Sequence, residues 1–318
     1  MNKAEMLIEN IEKVIVGKHE TIFAVTAALL AGGHVLIEDV PGVGKTQLAS
    51  AMARSVNGIF NRIQLTPDIM PSDVVGFTMI NSATHETEYR KGAAFCNFLL
   101  ADEINRASPK AQSALLEAME ERQISIDGNT HALPVPFMVM ATQNPVETYG
   151  TYHLPEAQMD RFIMKVSMGY PTADEELLVL SRTENTNPVK EISDVISIDD
   201  VKDMQEEVKA VRCTDSVKAY IIALCNETRD SDCIRLGASP RGSIALFKAA
   251  KAAAYINGRD YVLPEDVKEL AVSVLSHRLM LSPKGKAEFG TAENIVQAIL
   301  GKVPVPEGPD AKGNNGGK

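Results

Sequence analysis

The chain has 318 residues, room for a core domain and a smaller second one. With 45% hydrophobic and 23% charged residues it has the composition of a globular protein, which excludes a disordered or fibrous chain. Forty-two acidic against thirty-two basic residues give a net charge of −10, which repels phosphate backbones and counts against general binding to nucleic acid or anionic membrane.

The opening segment, MNKAEMLIENIEKVIVG, carries acids within its apolar stretch and has no small-residue cleavage site. No apolar run approaches the roughly 18 residues of a membrane span, so a cytoplasmic protein with no membrane insertion is expected. Residues 4 to 31 read as amphipathic helical material, and His34 to Glu38 (HVLIE) as a buried parallel strand. A glycine-bearing loop follows. Helical spacing resumes from Thr46 to Val56, where Leu48, Ala49, Met52, Ala53 and Val56 share a face.

Further apolar runs at Ile59 to Leu65, Phe98 to Ala101, Phe137 to Ala141 and Phe162 to Met168 are separated by helical or irregular stretches, which predicts a parallel-rich α/β sheet. Ser108 and Pro109 suit the N-cap and first turn of a helix that buries Ala111, Ala114, Leu115, Ala118 and Met119. Phe77 to Tyr89 and Gln123 to Val135 read as β-hairpin insertions, the second turning at Asp127-Gly128-Asn129. After Pro171 strand-like runs nearly vanish. Helices dominate from about Ser197 to Leu300, one running from Ser239-Pro240 to Asn257-Gly258 and another opening at Pro264. The expected organisation is therefore an α/β domain over residues 1–188, an all-α lid over 189–303, and a disordered tail over 304–318, which is too polar to bury.

Cys96, Cys213, Cys225 and Cys233 show no C-x-x-C spacing and the six histidines do not cluster with them. Reduced thiols, with neither a zinc site nor a disulfide framework, are expected.

The chemistry concentrates in DVPGVGKT, Asp39 to Thr46, at a strand-to-helix junction where backbone N–H groups and the helix dipole favour an anion. In such a loop Pro41, Gly42, Val43, Gly44, Lys45, Thr46 and Gln47 wrap the phosphates of ATP. Lys45 neutralises the β- and γ-phosphates and Thr46 ligates Mg²⁺. The general pattern asks for glycine where this chain has Asp39. Phe98 to Ala101 is followed at once by Asp102-Glu103, two carboxylates at the carboxyl end of a predicted strand. Alone, such a pair is a solvated cap. Beside a phosphate loop, Asp102 can hold Mg²⁺ and Glu103 can deprotonate the attacking water. The strand Phe137 to Ala141 ends in Thr142-Gln143-Asn144-Pro145, and Asn144 would grip the same water if the two strands are neighbours; an isolated Asn-Pro is otherwise a turn.

Asp39 to Thr46, the stretch NFLLADEINRASPKAQSALLEAMEERQIS from Asn97, and ATQNPVETYGTYHLPEAQMDRF from Ala141 resemble the MoxR family of AAA+ ATPases, over nearly the whole chain. MoxR-like loops accept aspartate at the position of Asp39. The resemblance implies that Arg161 is an arginine finger reaching the γ-phosphate on the next subunit, and that Arg241 is the sensor 2 arginine aimed at the nucleotide from the lid. It implies that Val16 and Gly17 line the adenine pocket, with Arg106 a further candidate for contacts between subunits. It also implies a homo-oligomeric ring of six, hairpins facing a central pore, and remodelling of a client protein carrying a von Willebrand factor A domain, in some cases for metal insertion. Three alternatives stay open: a nucleotide-dependent scaffold with little hydrolysis, a chelatase-type subunit, and a nucleic-acid motor. The charge and the lack of basic, aromatic-laced segments count against the last.

Overall fold

The protein's computed structural model describes residues 2–80, 82, 85–145, 152, 154–184 and 187–306. The helical stretch near the start is two helices, α1 (Lys3–Glu12) and α2 (His19–Leu30), because the chain turns at Gly17 with φ +71°. Asn2 and Glu5 cap α1 reciprocally, each side chain accepting from the other's backbone N–H. There follow β1 (Val35–Glu38), α3 (Lys45–Ser55), β2 (Phe60–Gln64) and the short α4 (Pro71–Val75). The first predicted hairpin is β3 (Gly76–Ile80) with β4 (Thr87–Lys91); positions 81, 83 and 84 of its connection lie outside the described residues.

Next come β5 (Phe98–Asp102), α5 (Pro109–Glu121), the second hairpin β6 (Gln123–Ile126) and β7 (Asn129–Ala132), then β8 (Met138–Gln143), α6 (Glu156–Met159) and β9 (Met164–Val166). Asp127 and Gly128 close the second hairpin with φ +50° and +79°, the paired positive angles whose twist matches that of the flanking strands. The two insertions touch through their aromatic residues: Tyr89 stacks on His131 at 4.0 Å between ring centroids, with Phe95 edge-on to both.

The sheet has the order β2-β5-β8-β1-β9 and every neighbouring pair is parallel. Its central strands β5, β8 and β1 are apolar on both faces because helices cover both. Leu99, Ala101, Val139 and Ala141 point to the side of α5, while Phe98, Leu100, Met138 and Met140 point to the side of α2 and α3. Phe98 is fully buried, and its removal is expected to cost about 3–5 kcal/mol.

Past the sheet lie α7 (Ala173–Thr183), α8 (Pro188–Glu191), α9 (Ile198–Ala210), α10 (Asp215–Asp230), β10 (Ile234–Leu236), α11 (Pro240–Ile256), α12 (Pro264–Leu275), β11 (Met280–Leu281), α13 (Pro283–Phe289) and α14 (Ala292–Lys302). Ser239 caps α11, its hydroxyl accepting from the Arg241 N–H, and Gly258 follows that helix with φ +71°. The alanine face of α11, including Ala249, Ala250, Ala253 and Ala254, brings helices close and belongs to the same apolar cluster as α2 and the sheet. The lid is thus packed onto the core. The expected tail falls, from residue 307 on, outside the described residues.

Candidate active site

Gly42 and Gly44 adopt φ of +88° and +96°, angles at which a side chain would be strained, and they let the loop after β1 fold back over the start of α3. Among the described residues no side chain caps α3, and a helix start carries backbone N–H groups and a dipole that favour an anion. Lys45 Nζ donates to the Asp39 carbonyl at 2.7 Å, folded over the loop it would share with a phosphate.

A cleft of about 400 Å³ opens above this loop at the carboxyl ends of the strands. From the loop it takes Pro41, Gly42, Gly44, Lys45, Thr46 and Gln47. From the end of β5 comes Asp102 with Glu103 one residue on, and just past β8 comes Asn144. The neighbour relation that Asn144 needed is present: β8 lies between β5 and β1, with Ala101 opposite Ala141 and Glu38 opposite Gln143. Val43, Val16 and Gly17 do not line this cleft. Val43 packs against the apolar core, and Gly17 lies against the first turn of α7, where a Cβ would stand 1.8 Å from Glu175 Oε1.

Three groups carry no signal in the sequence: Arg62 and Gln64, which line the cleft, and the buried Thr142 beneath its two acids. Thr142 Oγ1 donates to Asp102 Oδ1 at 2.6 Å and accepts from the Glu103 N–H at 2.9 Å, so one hydroxyl orients both acids. Arg62 Nη2 lies 2.7 Å from Asp102 Oδ2 and 3.2 Å from Gln64 Oε1. Arg62 and Gln64 sit two apart on edge strand β2, and only the pairing of β2 with β5 brings them to Asp102. Glu103 itself sits at φ +56°, left-handed backbone that costs a non-glycine residue about 1–2 kcal/mol. That turn lifts its carboxylate off the strand and into the cleft, where Arg106 Nη1 meets it at 3.2 Å.

Asp39, the departure from the general loop pattern, has a structural task. Its buried carboxylate accepts from the backbone N–H groups of Met168 and Gly169 (3.2 Å for Gly169) and from Ser167 Oγ at 3.1 Å. Glycine there would release the loop from the segment after β9. The residue before it, Glu38, pairs with Lys165 at 2.8 Å, and Lys165 also reaches Glu293 of the lid at 2.9 Å.

Arg241 does not reach the cleft of its own chain. It lies beside Arg161 in a separate pocket of about 340 Å³ between α5, the end of α6 and α11. Glu120 holds both, through Arg161 Nε at 2.9 Å and Arg241 Nη2 at 2.7 Å. The packing sets this placement: α11 lies along α2 and α12, and its first turn opens toward Glu120. Asp160 ties this corner to the lid, accepting from Ser239 Oγ and from the buried Arg278 Nε, both at 2.7 Å.

Thr46 and Asp102 face one cleft beside an uncapped helix start, a donor set that suits Mg²⁺ arriving with phosphates, since that ion uses few protein ligands. Cys96, Cys225 and Cys233 are buried free thiols; burial pushes Cys96 up to about 12. No helix among the described residues is long and apolar enough to cross a membrane.

Residues 34–164 match the family described as "ATPase family associated with various cellular activities (AAA)", and residues 226–299 match the AAA lid domain. Chaperone MoxR1 of Mycobacterium tuberculosis is 40% identical over 95% of this chain and 82% of its own length. The uncharacterized protein YeaC of Bacillus subtilis is 54% identical over 94% of this chain and 93% of its own. A crystal structure of a candidate ATPase from Cytophaga hutchinsonii superposes with a TM-score of 0.89 at 42% identity, covering 96% of both chains.

Proposed function

The chain belongs to the MoxR family of AAA+ ATPases, and we propose that it hydrolyses ATP at the subunit boundaries of a six-membered ring to remodel a client protein. The observation that carries this is the separation of the machinery. Asp102, Glu103 and Asn144 gather over the phosphate loop, while Arg161 and Arg241 gather elsewhere around Glu120. A single copy then holds both halves of a site but joins neither to the other, which a head-to-tail ring corrects.

In this scheme ATP lies with its phosphates on the start of α3, and Lys45 leaves the Asp39 carbonyl to neutralise them. Thr46 and Asp102 would hold Mg²⁺, which would supply neutralisation of phosphate charge. Glu103 takes the proton of a water that Asn144 orients, and the water oxygen attacks the γ-phosphorus as the bond to the ADP oxygen breaks. Thr142 keeps Asp102 and Glu103 in register. Arg161 and Arg241 of the adjacent subunit meet the charge that develops on the γ-phosphate.

The client is a protein with a von Willebrand factor A domain, and the work done on it is maturation, metal insertion included. Phe77, Met79 and Ile80 of the first hairpin are exposed apolar side chains suited to grip it. Turnover of Glu103→Gln against the parent chain tests the enzymatic half: a collapse with ATP still bound is expected, and equal rates would reduce the protein to a scaffold. The same variant, locked on ATP, should retain a von Willebrand factor A domain client in a pull-down.

A further inference from the structure

Helix α7 has no buried residue along its 11 positions. Its inner side is fastened: Glu175 closes a capping box with Thr172, lies against Gly17 and meets Lys18 at 3.7 Å, while Arg182 donates to the carbonyls of Glu12 and Lys13. At 100° per residue the opposite side carries Leu177 and Leu180, which are 65% and 63% exposed. Asp174, Glu176 and Glu184 flank them. A helix this short is marginal in water alone, and an apolar stripe rimmed by charge is the pattern of a covered surface.

We propose that this leucine stripe docks on α11 of the next copy of the chain around the ring. The inference rests on the proposal that Arg161 and Arg241 enter a neighbour's cleft. Arg241 occupies the first turn of α11, so whatever follows it on that helix must arrive beside that cleft. The following exposed positions are Ile244, 54% exposed, and Lys248, which with Arg241 make a basic–apolar–basic stripe at helical spacing. On the receiving side, α7 follows the segment that touches the phosphate loop. Its lead-in, residues 167–169, is hydrogen-bonded to Asp39, and the Met168 methyl stands 3.6 Å from where a Gly44 Cβ would be. Leucines flanked by acids on one copy therefore face an isoleucine flanked by cations on the next. The contact is heterologous, so each copy offers one half on each side and the set closes only as a ring.

Chains with one exposed cysteine test this, built on Cys213→Ser because the other three thiols are buried. Leu177→Cys and Ile244→Cys chains, each also carrying Glu103→Gln, are mixed with ATP and treated with a short bismaleimide, with ring formation followed by sedimentation. A covalent dimer in the mixture, and in neither chain alone, is the expected result. A ring without mixed cross-links would overturn the docking while leaving the ring intact, as would Leu177→Cys chains that cross-link to themselves, the mark of a two-fold pair. Absence of any ring with ATP would remove the ring proposal and the docking with it. Leu177→Ser/Leu180→Ser should raise the protein concentration needed for assembly about tenfold or more while each chain keeps its fold and its ATP binding. Unchanged assembly would also overturn the docking.

Discussion

Arg161 and Arg241 come from different domains and share one carboxylate, that of Glu120. The pairing puts the two cations in one place, outside the cleft that holds the phosphate loop of the same chain.

Replacing either arginine with alanine should leave ATP binding to the single chain nearly unchanged and lower turnover by about 10³-fold or more. Because the two meet at one carboxylate, the double variant should fall little further than the worse single one. Adding Glu103→Gln chains, which cannot hydrolyse but keep both arginines, should restore part of the turnover of Arg161→Ala. Steady-state kinetics of mixed assemblies measures this, and no rescue at any ratio would place the arginines' action within their own chain.

Thr142→Val keeps the shape of the side chain and removes the hydroxyl that touches both acids. Losing these two positioning bonds, to the Asp102 carboxylate and from the Glu103 N–H, should cost about 1–3 kcal/mol, a tenfold to hundredfold drop in turnover. ATP affinity should barely move, and Thr142→Ser should recover most of the rate. A Thr142→Val rate equal to the parent's would show that Asp102 and Glu103 hold their places without it.

Asp39→Gly would bring the loop closer to the general phosphate-loop pattern, yet it should destabilise the protein by about 2 kcal/mol, because the N–H groups of Met168 and Gly169 lose their acceptor. Thermal unfolding with and without nucleotide reads this out. A variant as stable as the parent would assign the carboxylate no structural role.

His34 is fully enclosed, its Nδ1 accepting from the Val139 N–H and its Nε2 bonded to the Met119 carbonyl. Burial lowers its pKa from 6.5 to about 4. Between these values the unfolded chain binds a proton that the folded chain refuses, so stability falls as pH drops from 6.5 toward 4 and the contribution is fully present above 6.5. The loss amounts to about 3 kcal/mol. Half-buried His277 is pushed well down too, by desolvation and then by Arg278, and adds to the same slope. Urea unfolding of His34→Gln from pH 4.5 to 8 should show a shallower slope than the parent, at lower overall stability.

Much of the site was legible because its parts are contiguous. The loop around Gly42 and Gly44, the pair Asp102-Glu103 and the turn at Asp127-Gly128 are each specified by backbone angle or charge within a few neighbouring residues. Strand boundaries shifted by one or two positions, since pairing rather than hydrophobicity sets where a ladder ends. Asn144 was legible only on condition that β5 and β8 pair, and they do.

Thr142 and Arg62 were not legible, because each acts on an acid 40 residues away through strand pairing that local pattern does not encode. Glu120 was less so still: it meets Arg241 across 121 residues of chain. By itself the sequence determined that a phosphate loop opens a helix, that two acids end another apolar strand and that helices follow the sheet, all consequences of short-range sterics and periodicity. Only the tertiary structure decided which side of the core the lid arginine faces. That depends on how α11 beds its alanine face against α2 and α12, a packing of apolar surfaces far apart in the chain.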